Sequence, residues 1–187
     1  MLQGSLIAKR YAKALFDLAL EMNVIEDVKN DMELVQSVCD SNSEFNRMLK
    51  SPVIRSDKKQ RVIEGIFKGK ISDLSLRYLS IITRKKREDM LKQIAGEYII
   101  AYKKFKNIFT IHFESVVEIS DDLRKQVIAL LEERTKANIE LNEEIKKELV
   151  GGFVLKYDDY KYDASIAYML RRLKKEAAEV NLYKREL

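Results

Sequence analysis

The sequence predicts a mainly helical protein with a smaller α+β part at its C-terminal end. A six-helix bundle covers residues 1–105, and a strand-helix-strand-strand-helix domain covers 106–187. Three observations predict this. The chain has 187 residues but only 1 Pro and 6 Gly, and so few breakers favour long helices. Apolar residues recur at helical spacing through the first hundred positions. At Asn107 the pattern changes to alternation, with β-branched and aromatic residues at every second place.

The first helix covers 5–22. Ile7, Tyr11, Ala14, Leu15, Leu18 and Met22 form a helical stripe, and Ala8, Ala12, Phe16 and Ala19 form a second, smaller one. Such a helix can pack on a bundle with one face and receive a partner with the other. Its basic, amphipathic start is similar to a transit peptide, but Asp17 and Glu21 fall within the same run, and transit peptides are poor in acids. It is read as the first helix of the fold. A second helix covers 24–41, with Val24, Val28, Met32, Val35 and Val38 on its stripe. A third, "SEFNRMLKS", takes Ser43 as its N-cap and stops before Pro52, which pushes Ser51 out of the helical region. Ser56 caps a fourth helix ending at Gly69. Ser72 caps a fifth, and a sixth runs over 88–104 with Met90, Leu91, Ile94, Tyr98, Ile99 and Tyr102.

In "IFTIHFESVV", Phe109, Ile111, Phe113 and Val117 fall on one side of a strand, and Thr110, His112 and Glu114 on the other. Ser120 then caps a helix with Asp121 and Asp122 in its first turn, where the helix dipole favours acids. Ile139 and Leu141 mark a brief strand. "GGFVLKYDDYKYDAS" gives two more strands around a turn, and a last helix covers 164–180, capped by Asp163 or Ser165.

The composition is 46% apolar and 35% charged, too apolar for disorder, and no apolar run is long enough to span a membrane. Residues 1–105 carry 20 basic and 14 acidic groups; residues 106–187 carry 15 and 16. Neither half has the excess usual in a nucleic-acid binder. The lone Cys39 can form no internal disulfide and sits in no metal-ligand spacing, which suits a reducing cytoplasm.

Sites that chemistry needs are missing from the pattern. Gly151 and Gly152 could begin a phosphate loop, but the chain has neither the Gly-Lys-Ser/Thr ending nor the Gly-x-Gly-x-x-Gly fingerprint there. Phe153, Val154 and Leu155 come next and form a strand, so the pair reads as a bulge or a close backbone approach. His112, the sole histidine, lies on the polar side of its strand, and no nucleophile is near it in sequence. The acid pairs Asp121–Asp122, Glu132–Glu133 and Glu143–Glu144 read as solvated charges. "RKKR" at 84–87 closes the fifth helix against its negative dipole end. By elimination the residues point to a protein that binds other proteins, with no catalytic, cofactor or metal site. The competing readings are a nucleic-acid adaptor using the basic half and a small hydrolase built around His112.

Three segments, in order and over nearly the whole chain, resemble one family. "IAKRYAKALFDLALE" is similar to the opening Ala-x-x-Tyr-Ala-x-Ala-Leu-Phe pattern of the δ subunit of F-type ATP synthases, the bacterial counterpart of the oligomycin-sensitivity-conferring protein. "SPVIRSDKKQRVIEGIF" resembles its Ser-Pro…Lys-Lys segment. "ELVGGFVLKYDDYKYDASIAYMLRRLKK" resembles its C-terminal signature, here Gly151, Gly152, Asp163 and Ser165. The chain departs at Ala164, where the family has glycine, within "KYDDYK", and at Lys86-Arg87, where Gly-Arg is usual. The resemblance implies a non-catalytic peripheral-stalk subunit at the cytoplasmic face of the bacterial plasma membrane, held there only through partners. It implies an N-terminal bundle that holds the N-terminal helix of an α subunit between its first and fifth helices: Tyr11, Ala14, Leu15 and Leu18, with Tyr78, Leu79 and Ile82. It implies that the C-terminal domain holds the C-terminal ends of the b subunits, through Ile166, Met169, Leu170 and Leu173, and that the whole resists rotor torque.

Overall fold

A computed structural model describes residues 2–157 and 160–183. It forms two compact units, Met1–Phe105 and Lys106–Leu187.

The first unit holds six helices: α1 (Leu2–Glu21), α2 (Ile25–Ser41), α3 (Ser43–Lys50), α4 (Ser56–Phe67), α5 (Asp73–Arg84) and α6 (Leu91–Phe105), with a 3-10 turn at Glu88–Met90 before α6. α6 is the central element, and both α1 and α2 pack along it. The inward stripe of α1 is the small one. Ala8, Ala12 and Ala19 are buried together with Leu15, because side chains of one carbon let two helix backbones approach closely. Val28, Met32 and Val35 of α2 and Leu91, Ile94 and Tyr98 of α6 complete this core.

Polar ties fix the helix ends. Asp31 of α2 accepts hydrogen bonds from the Ser72 amide at 3.1 Å and its hydroxyl at 2.6 Å, just before α5 begins. The Tyr98 hydroxyl donates to the Ile25 carbonyl at 3.3 Å, and the Tyr102 hydroxyl to Glu26 at 2.5 Å. Ser72 caps α5 as expected, accepting from the Ser75 amide. Two caps differ from the sequence reading. α3 is capped by Asn42, whose Oδ1 accepts from the Phe45 amide at 2.9 Å, so Ser43 is already helical. α4 starts at Ser56 with Arg55 in the cap position and no side-chain cap. Gly69 stands at φ +77° past the end of α4, the left-handed position that favours glycine.

The second unit is a four-stranded sheet with two helices: β1 (Ile108–Ser115), α7 (Asp121–Thr135), β2 (Asn138–Ile145), β3 (Phe153–Tyr157), β4 (Tyr160–Asp163) and α8 (Ile166–Tyr183). The strand order is β2-β1-β3-β4. β1 and β2 run parallel, with α7 as their crossover, and the other neighbours are antiparallel. β2 is thus as long as β1, where the sequence suggested a brief strand around Ile139 and Leu141. Val117 lies beyond β1 and is exposed. Ser120 caps α7 by accepting from the Leu123 amide. Arg124 of α7 forks onto Glu143 of β2, at 2.5 Å from Nε and 3.2 Å from Nη2. That bidentate pair places α7 on the sheet face that carries Phe113, the register partner of Glu143. On the opposite face Glu114 is buried, although the sequence put it among exposed polar positions. It is bound by Lys146 at 2.6 Å and by Lys156, which hold its carboxyl below the usual range.

Candidate protein-docking surfaces

The double glycine is architecture. Gly152 stands at φ +76°, and a Cβ there would lie 2.2 Å from the Ala164 carbonyl oxygen. A Cβ on Gly151 would lie 2.5 Å from Ile166 Cδ1. The pair therefore lets the entry to β3 lie directly on the start of α8. The Ile166 amide donates to the Gly151 carbonyl at 3.0 Å, and the Ala164 amide to the Phe153 carbonyl at 2.9 Å. Asp163 and Ser165 finish the joint. Asp163 Oδ1 accepts from the Ser165 hydroxyl at 2.6 Å and its amide at 3.1 Å. The Ser165 hydroxyl oxygen in turn accepts from the Tyr168 amide at 3.1 Å, capping α8. These bonds from Ser165, with the Lys161 ammonium at 2.9 Å, hold the Asp163 carboxyl down to about 2. All four signature residues thus meet at one point, and their task is to set where α8 begins.

Beyond that joint α8 presents an uncovered apolar stripe. Ile166, Met169, Leu170 and Leu173 are between 43% and 59% exposed and share one helix face. A second uncovered surface in the same unit has no counterpart in the sequence reading. It is a hollow of about 220 Å³ between Leu131 and Thr135 of α7 and the aromatic residues Phe109, Tyr157, Tyr160 and Tyr162. Tyr160 and Tyr162 alternate on β4, but four residues are too few to reveal such a face by period.

In the first unit, the residues expected at the α1/α5 groove divide. Leu15, Leu79 and Ile82 are core, each 1% exposed or less. They are packed inside the unit. Tyr11 is half-buried, and Ala14 and Leu18 are exposed. Tyr78 is 9% exposed. Its phenol is raised well above the ordinary value, first by burial and then by the nearby Tyr11 of α1. Ile81, one turn on from Tyr78, is half exposed and was not among the expected residues. Its signal was present: it stands three positions after Tyr78, on the adjoining strip of the helix. α1 packs on α6 and α2, while α5 packs chiefly on α4 and α2. Open apolar side chains stand on both helices, Ala14 and Leu18 on α1 and Ile81 on α5. Among the described residues, the Tyr78 and Ser75 hydroxyls are buried without a hydrogen-bond partner.

His112 is exposed on β1. Among the described residues no cluster of His, Cys, Asp or Glu could hold a metal ion, and no helix is long and apolar enough to cross a membrane.

Each unit thus combines a rigid core with an apolar helix face left open, which is the construction of a protein-docking scaffold. Comparison gives that class a family. The profile of the ATP synthase delta (OSCP) subunit family matches residues 7–177. The chain belongs to this family and is a peripheral-stalk subunit of an ATP synthase. It is 33% identical to the ATP synthase subunit delta of Cytophaga hutchinsonii over 92% of this chain and 94% of that one. It is 32% identical to that of Lachnoclostridium phytofermentans over 96% and 99%. Its fold is similar to that of a chain in the Toxoplasma gondii mitochondrial ATP synthase hexamer, with a TM-score of 0.70 and 24% identity over 91% of this chain and 97% of the other.

Proposed function

We propose that the protein is the non-catalytic link of the stator, joining the catalytic α/β hexamer to the membrane-anchored b subunits and resisting the torque of the rotor. The first unit receives the N-terminal helix of an α subunit along α1 and α5. The second receives the C-terminal ends of the b subunits along α8. The protein lies at the cytoplasmic face of the bacterial plasma membrane and is held there by these partners alone.

The observation that carries the reading is the apolar side chains left open on these two helices, Ala14 and Leu18 on α1 and Ile81 on α5, with Tyr11 half-buried and Tyr78 at 9% exposed. An amphipathic helix laid on such side chains anchors apolar residues one turn apart. Both helices are also anchored in the core, through Leu15 of α1 and Leu79 and Ile82 of α5. A stator needs that rigidity, because a seat that repacked under load would not transmit torque.

The test is calorimetric titration of the full chain with a peptide of the cognate α subunit's N-terminal segment. Tyr11→Asp should weaken binding at least about tenfold, as a charge set against an apolar helix goes unpaired, and leave the helical circular dichroism unchanged. Unchanged affinity removes Tyr11 from the seat, and no binding by the unaltered chain removes the seat itself.

A further inference from the structure

β4 lies at one edge of the sheet, and only β3 pairs with it. The phase of that pairing is set by the Ala164 amide, which donates to the Phe153 carbonyl at 2.9 Å. Antiparallel strands alternate between residue pairs that exchange hydrogen bonds and pairs that do not. Two residues back from Ala164, Tyr162 opposite Leu155 therefore turns its amide and carbonyl to β3, as does Tyr160 opposite Tyr157. Lys161 and Asp163 turn theirs outward, and among the described residues no further strand receives them. These groups repeat at about 7 Å, two residues along a strand, which is the spacing that another strand presents. A helix cannot meet them, because its own amides and carbonyls are bonded within it.

Strand edges are ordinarily blunted by charge or by a covering element. On β4 the two charges cancel, since Lys161 lies on Asp163 at 2.9 Å. Against the strand is a cleft of about 580 Å³, with residues 161–164 on one wall and Tyr168, Met169, Arg171 and Arg172 of α8 on the other. Its lining sets three cations against one acid, Asp163. That acid is already engaged, with Oδ1 on Ser165 and Oδ2 on Lys161. Arg171 is exposed and, among the described residues, makes no ion pair. The cleft also joins the two uncovered surfaces of this unit. Met169 belongs both to it and to the open stripe of α8, and Tyr162 both to it and to the aromatic hollow.

A ligand that fits must bring an extended backbone for the strand edge and a carboxylate for Arg171. The C-terminal end of a chain carries both, whatever its sequence. We infer that the last residues of a b subunit dock here in extended form, an inference that rests on the reading that the b subunits end at this unit. They add to β4 as a fifth strand, bonding the outward groups of Lys161 and Asp163, and their terminal carboxylate lies on Arg171. The b chain is then held in two ways, by apolar contact along the α8 stripe and by backbone hydrogen bonds at the sheet edge.

The test uses the full chain and a peptide of the cognate b subunit's C-terminal segment, with a free or an amidated end. Amide hydrogen exchange is followed by NMR. With the free-acid peptide bound, the Lys161 and Asp163 amides should exchange at least about tenfold more slowly, while those of Tyr160 and Tyr162, already bonded to β3, change less. Lys161→Pro deletes an outward N–H that β3 does not use. It should bind about fivefold or more weakly than Lys161→Ala, which keeps that N–H. Amidation should cost the unaltered chain about fivefold in affinity or more, and should make little difference to Arg171→Gln. Peptide binding that slows amides of α8 alone, or slows β4 without the alternation, overturns the inference and leaves the α8 seat standing. An equal loss on amidation for both chains overturns the role of Arg171. Absence of binding by either peptide overturns the seat itself, and the inference with it.

Discussion

Replacing Gly152 by alanine is the sharpest structural test of the second unit. The new Cβ would stand 2.2 Å from the Ala164 carbonyl oxygen, a backbone atom that no side-chain rotation can move. The residue also sits at φ +76°, where alanine is disfavoured by about 1 kcal/mol relative to glycine. To relieve the clash, the chain at Ala164 must withdraw, and two hydrogen bonds depend on its place: Ala164 to Phe153 and Ile166 to Gly151. At about 1 kcal/mol net for each bond, the total cost is about 3 kcal/mol. For a unit of this size that lowers the melting temperature by about 15 °C. Gly151→Ala is the control. Its Cβ meets only side-chain atoms of Ile166, which can turn aside at a cost of about 1 kcal/mol. Because the chain has no Trp, the assay is amide hydrogen exchange at Ala164 and Ile166, read with thermal unfolding. Equal costs for the two substitutions, or a cost for Gly152→Ala below about 1 kcal/mol, would refute the close-approach argument.

Other expectations rest on single contacts. Tyr78→Phe removes a buried hydroxyl that has no partner among the described residues, so the first unit should gain up to about 1 kcal/mol in denaturant titration; a clear loss would mean the hydroxyl is bonded in solution. Leu15→Ala should cost about 2–4 kcal/mol, as core leucines do, without a direct effect on peptide contacts. Leu18→Ala should change stability by less than about 0.5 kcal/mol yet weaken binding of the α-subunit peptide; the reverse ranking would put the wrong stripe of α1 in the core. Asp163 has a folded value near 2 against an ordinary 3.8. Its stabilising effect is therefore complete above the ordinary value and lost as pH falls toward 2. Acid unfolding of the second unit should lose part of its pH dependence between pH 4 and 2 in Asp163→Asn, and an unchanged acid limb would deny Asp163 that role.

What the sequence conveyed was local. Helical spacing placed six helices, the switch of period at Asn107 placed β1, and Ser72 and Ser120 cap as their positions predict. Where two adjacent polar residues could cap, spacing does not choose between them, and Asn42 rather than Ser43 caps α3. Spacing likewise left open which of the two stripes of α1 packs inward. Leucine and tyrosine are more apolar in bulk than alanine, but α6 can approach only where side chains are small. The same effect separates Leu15, Leu79 and Ile82, which lie in the core, from Leu18 and Ile81, which do not. Glu114 was illegible for another reason. Its lysines lie 32 and 42 residues away, and only the sheet order brings them together. The double glycine was readable as a close approach, though its partner, the Ala164–Ile166 segment, required the fold. The open edge of β4 required it too, since the strand order β2-β1-β3-β4 is set by pairing and not by position in the chain.

The most direct test of the stator assignment is to recover the tagged full chain from detergent-solubilised membranes of its own cells and identify every chain that accompanies it. The account predicts that α and b chains co-purify in constant proportion, and that α is lost with Tyr11→Asp while b is retained. Recovery of the chain with nucleic acid, or with soluble partners and neither α nor b, would contradict it.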